Sequence, residues 1–65
     1  MVEIFVVLNL KDSGREVMLN ANLIEYAKDV RGHTEVSYPR CTYRVRQSPS
    51  EILALIRKEE KRQCE

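Results

Sequence analysis

At 65 residues the chain makes one domain, 1–65, and a core of that size supplies roughly 3–5 kcal/mol, so self-association is a common way for such domains to gain stability. Eleven basic and ten acidic residues leave a net charge of +1, which excludes an overall basic field for nucleic acid or acidic lipid. No apolar run approaches the ~20 residues that span a bilayer, and the start Met-Val-Glu-Ile lacks the basic opening and cleavage site of a signal peptide. The expectation is a cytoplasmic protein with no membrane span.

Val2 to Leu10 reads as the first strand. Val2, Ile4, Val6, Leu8 and Leu10 share one face by the period-2 rule. The opposite face carries Glu3, Phe5, Val7 and Asn9, so it too is partly apolar. A strand apolar on both faces is usually covered twice, and one helix covers one face. Val2, Phe5 and Val7 are therefore the candidate self-association residues, and a homo-oligomer is the state they point to.

Lys11-Asp12-Ser13-Gly14 is a turn by composition, with Gly14 free to take positive φ. Arg15 to Leu19 returns as a second strand, forming a hairpin with the first. Val17 and Leu19 point one way on it, Glu16 and Met18 the other.

The segment Leu23 to Val30 supports two readings. As a helix it has Asn22 as cap, Glu25 three residues on, and Leu23, Ala27 and Val30 on one side. As a strand it turns Ile24 and Tyr26 inward. Eight residues are few for a packed helix. The favoured reading is a helical turn at Asn20–Leu23 that leads into a strand at Ile24–Lys28.

Val30-Arg31-Gly32 is the next turn. His33 to Tyr38 then pairs with Cys41 to Arg46 about Pro39-Arg40, which sets Val36 opposite Tyr43 and Glu35 opposite Arg44. Proline at the first loop position suits unprimed turns rather than the primed turns of tight hairpins, which points to a loop wider than two residues.

The last element is a helix. Ser48 is a good N-cap, Pro49 suits the first helical position, and Glu51 completes a capping box. Ile52, Leu55 and Ile56 recur at helical spacing, with Leu53 beside them, and must bury their stripe on a sheet. Residues 57–65 are charged all round and read as a solvated, fraying helix end. The expected class is α+β: a small, mainly antiparallel sheet of four or five strands with one C-terminal helix packed on one face.

Catalysis has no footing in these residues. The acidic groups fall on turns, solvent faces and the helix end, and the serines have turn, sheet or cap roles. His33 is the lone histidine, and Cys41 and Cys64 read as two reduced thiols, so neither a triad, a metal site nor a cofactor is expected. Nucleic-acid binding is the more serious chemical alternative. Arg40, Arg44 and Arg46 share parity with Thr42 on the outer face of the last strand, and such a row contacts phosphates. Against it, Glu35 opposes Arg44, and Tyr38 and Tyr43 point inward, which leaves no stacking platform.

Five short motifs lie along the chain in order: Leu8-Asn9, Gly14-Arg15-Glu16-Val17, Leu19-Asn20-Ala21-Asn22-Leu23-Ile24-Glu25, Tyr43-Arg44-Val45, and Ser48 to Glu51. In these the chain resembles the small FlbD-type flagellar proteins, also called SwrD. It departs from their pattern at Leu10–Ser13, which is longer than the usual tight turn, and at Tyr38-Pro39-Arg40, where an Asp/Asn-Gly turn is expected. The resemblance implies a non-enzymatic cytoplasmic accessory protein of flagellar motility that acts through a protein partner. It carries over no binding residue, because the matched positions look like fold determinants. Ile24-Glu25-Tyr26, Tyr43-Arg44-Val45 and the capped helix are also similar to part of the longer LytTR-type DNA-binding domains, which implies at most a reduced version of those.

Overall fold

The structure is a computed structural model that describes residues 3–63. In chain order come β1 (Phe5–Asn9), β2 (Glu16–Asn20), a single 3-10 turn (Ala21–Leu23), β3 (Tyr26–Val30), β4 (His33–Ser37), β5 (Thr42–Val45) and α1 (Pro49–Gln63). The fold is α+β, as expected, but its five strands form two antiparallel sheets rather than one. One holds β1 and β2, the other β3-β4-β5 in that order.

The division has a local cause. The Asn20 side chain accepts a hydrogen bond from the Asn22 N–H at 2.9 Å, which caps the 3-10 turn and bends the chain between β2 and β3. The two sheets share backbone hydrogen bonds at a corner. There Leu10 bridges Val45, the Lys11 N–H donates to the Arg44 carbonyl at 2.9 Å, and the Arg46 N–H donates to the Asn9 carbonyl at 2.8 Å. After Val45 the chain leaves the sheet for α1.

β1 carries the centre of the core. Val6 and Leu8 are buried, and Leu19, Val36, Val45 and Ile52 close on them from β2, β4, β5 and α1; Ile4, just before the strand, is buried too. Leu55 and Ile56 pack on the same cluster, so the helical stripe is the lid that its spacing predicts, whereas Leu53 stays exposed. The strand itself is shorter than Val2–Leu10: it begins at Phe5, Leu10 contributes only the isolated bridge, and Val2 lies outside the described residues.

The helix start follows the capping box. The Glu51 N–H donates to Ser48 Oγ at 3.2 Å, and the Ser48 N–H donates back to Glu51 Oε1 at 3.3 Å. The β4–β5 register is also as predicted, with Val36 opposite Tyr43 and Glu35 opposite Arg44. Its loop is narrower than expected. Tyr38 and Cys41 exchange both backbone hydrogen bonds, at 2.9 and 3.3 Å, around just Pro39 and Arg40. Neither loop residue has positive φ, so the turn is unprimed, as proline demands, and still closes at two residues.

β3 corrects a second expectation. It starts at Tyr26 rather than Ile24, and its tyrosine is exposed rather than turned inward. The cause is the β3–β4 turn at Arg31-Gly32, where Gly32 takes φ of +76° and Val30 is set opposite His33. That register stacks Ala27, Val36 and Tyr43 on the inner face and Lys28, Glu35 and Arg44 on the outer one. Tyr26 has the parity of Lys28, whose ammonium lies 5.8 Å from the tyrosine ring centre. Ile24 reaches the core from the connector instead.

Candidate interaction surface

Two asparagines hold β1 and β2 in place. Asn9 ties three segments together: its N–H donates to Gln47 Oε1 at 2.9 Å, its Oδ1 accepts from Gln47 Nε2 at 2.8 Å, and its Nδ2 donates to the Gly14 carbonyl at 3.2 Å. Besides capping the 3-10 turn, Asn20 donates its N–H to the Tyr38 hydroxyl at 2.9 Å. Tyr38 in turn meets Tyr43 edge-on, with ring centres 5.7 Å apart. Both Leu-Asn pairs thus serve the frame.

The frame presents the outer face of β1 and β2 to solvent. Phe5 and Val7 are each 44% exposed, and Met18, directly opposite Val7 on β2, is 65% exposed. These are large apolar side chains on a two-stranded face with no third layer over it among the described residues. Val2, the third self-association candidate, lies outside the described residues.

The apolar surface continues onto α1. A groove of about 210 Å³ runs between Phe5 and Val7 on one side and Leu55, Lys58, Glu59 and Arg62 on the other. A second hollow, about 400 Å³, shares Val7, Leu55 and Lys58 and extends to Ala54 and Glu51. A third lies along the helix between Leu53, Ala54, Arg57, Lys58 and Lys61. Lys58 borders all three. Sequence reasoning found Phe5 and Val7 from the two-sided pattern of the first strand. It did not join Met18, Leu55 and Lys58 to them: the β1–β2 register sets Met18 opposite Val7, and the packed helix brings Leu55 and Lys58 beside β1.

The arginine row is dispersed. Arg44 stands opposite Glu35, which Lys28 Nζ also approaches at 3.9 Å. Arg46 turns aside: its Nε donates to the Lys11 carbonyl at 3.1 Å, and its guanidinium lies over Gly14, where an added Cβ would meet it at 3.3 Å. Arg40 is exposed in the two-residue loop. Tyr38 and Tyr43 are packed against the core. The neighbouring Cys41 side chain raises the Tyr43 phenol pKa above its ordinary value.

The other sequence candidates are scattered. Cys41 is exposed with a free thiol, and Cys64 lies outside the described residues. Both ring nitrogens of His33 are shut away from solvent without a hydrogen-bond partner. Among the described residues, no three His, Cys, Asp or Glu side chains gather as metal ligands do, and no helix is long and apolar enough to cross a membrane. Comparison of the chain with protein-family models, with curated proteins and with solved structures finds no match.

Proposed function

We propose that this chain is a non-enzymatic protein-interaction module that binds through the outer face of β1 and the adjoining side of α1. One observation carries the reading: Phe5, Val7 and Met18 form an exposed apolar cluster on a two-stranded face beside a groove lined by Leu55. Clusters of this kind rimmed by polar residues mark contact surfaces more often than isolated exposed side chains do. A cytoplasmic setting and a role in flagellar motility are the part of the proposal that rests on the FlbD-type resemblance. A self-associated form uses the same residues and belongs to the same reading.

The test compares the native chain with Phe5→Asp and Val7→Asp variants, after circular dichroism has confirmed that each is folded. Cross-linking and sedimentation in the source cell extract should yield a complex with the native chain and none with the variants. A native chain that stays alone, or variants that form the same complex, would sink the proposal.

The alternative is a small nucleic-acid-binding regulator using Arg40, Arg44 and Arg46. The hydrogen bond from Arg46 to the Lys11 carbonyl and the place of Glu35 opposite Arg44 weaken it, since one guanidinium is engaged and a carboxylate stands within the row. A mobility shift on DNA at low salt that fades steeply with added salt, and that Arg40→Ala with Arg44→Ala removes, would restore it.

A further inference from the structure

The groove beside β1 is more than apolar. The β1–β2 ladder places its hydrogen-bonded pairs at even positions of β1: the Ala21 N–H donates to the Ile4 carbonyl at 2.7 Å, and the Leu10 N–H donates to the Arg15 carbonyl at 2.8 Å. The backbone groups of the odd residues therefore face the other edge. At Asn9 that edge is sealed, because Arg46 donates to its carbonyl and Gln47 accepts from its N–H. At Val7 and Phe5 the same edge has no hydrogen-bond partner among the described residues. It faces the groove formed with Leu55 and Lys58.

The border of this groove has a sign. Lys58 and Arg62 flank Phe5 and Val7, whereas Arg57 and Lys61 line a separate hollow with Ser50, Leu53 and Ala54 on another face of α1. Two carboxylates, Glu51 and Glu59, share the surface, and Glu59 is already paired with Arg62 at 3.2 Å. Among the described residues Lys58 has no ion-pair partner, so it is the unpaired cation of the groove. An open strand edge, alternate apolar side chains and one unpaired cation specify a ligand by chemistry. An extended chain supplies the missing backbone partners, its alternate apolar side chains meet Phe5, Val7 and Leu55, and a carboxylate meets Lys58.

Resting on the interaction reading above, we infer that the groove between β1 and α1 takes an extended segment of another protein in which apolar and acidic residues alternate. A second copy of this chain fits less well, because a two-fold pairing of the β1 edges would bring each copy's own α1, which flanks that edge, into the same groove. An anionic bilayer fits less well too. A plane does not enter a concave groove and supplies no backbone groups to the open edge of β1.

The test uses the full chain, isotopically labelled, and synthetic peptides of about eight residues, enough to pair along a strand of ordinary length. The probes are a leucine–glutamate alternating peptide, its leucine–lysine counterpart, and oligoglutamate of equal length. Separate arms use vesicles containing phosphatidylserine and the chain alone at rising concentration. The leucine–glutamate peptide should shift the resonances of Phe5, Val7, Leu55 and Lys58 and slow amide exchange at Phe5 and Val7. Its affinity should fall about fivefold between roughly 50 and 300 mM salt and about tenfold in Lys58→Glu.

Equal binding of the leucine–lysine peptide overturns the acidic assignment, and equal binding of oligoglutamate overturns the apolar one. Binding that leaves amide exchange unchanged overturns the strand-edge geometry. Vesicle binding without peptide binding assigns the surface to lipid. Self-association through Phe5 and Val7, with no peptide binding, leaves the interaction module standing and removes only the acidic segment. No response at these residues in any arm removes both.

Discussion

On the three-stranded sheet, Lys28, Glu35 and Arg44 stand side by side across β3, β4 and β5, alternating in charge on the outer face. On the two-stranded sheet the outward positions are Phe5, Val7 and Met18. The inner faces of both sheets supply the same core, so stability does not distinguish them. The difference lies in what their outer faces leave unfinished. The charged row solvates itself and neutralises itself, and charges on a sheet surface discourage unwanted pairing. The apolar face does neither, and beside it lies a strand edge that is closed at Asn9 and open at Val7.

Mutations on the two sides of β1 should separate these roles. Leu8→Ala removes a side chain with no exposed surface and should cost about 2–5 kcal/mol, comparable to the whole stability of a domain this small. Val7→Ala, one residue away on the outer face, should cost under about 1 kcal/mol while weakening partner binding. Urea unfolding followed by circular dichroism reads both. Equal costs would mean that the outer face is part of the folding core, and the contrast between the sheets would dissolve.

Asn9→Ala should come next, at about 1–3 kcal/mol, because it strands the Gln47 amide and the Gly14 carbonyl at the corner where the sheets meet. Faster amide exchange in Arg46 than in Val36 would locate the loss at that corner. His33→Phe should act in the opposite direction and stabilise by about 1 kcal/mol, since it replaces two desolvated nitrogens that have no partner. A loss of stability there would mean that the ring nitrogens are satisfied in solution.

The smallest effect is expected on the charged face. Glu35→Gln should change stability by less than about 0.5 kcal/mol, because the Lys28 contact is long at 3.9 Å and largely solvated. A larger loss would show that the row of charges organises the three-stranded sheet instead of merely solvating it.

Much of the frame was legible in the residues. The capping box at Ser48 and Glu51, the Ile52 stripe, the Glu35–Arg44 pairing and the outward placement of Phe5 and Val7 all follow from short-range spacing. The direction of Tyr26 did not. An eight-residue segment with ambiguous periodicity has its register set by its neighbour, here through Gly32 and β4. The two-residue closure at Pro39-Arg40 was likewise decided by hydrogen bonds between Tyr38 and Cys41, which loop composition does not encode.

What the residues determined alone is the alternation along β1 and the helix that must cover one of its sides, because pleat and helical period act over a few positions. What only the tertiary structure decided is the corner at which the two sheets meet and the groove. Asn9, Gln47 and Arg46 seal one end of the β1 edge, and α1 brings Leu55 and Lys58 beside the other. Those residues lie nearly forty or more positions from their neighbours on β1, and only folding brings together groups so far apart along the chain.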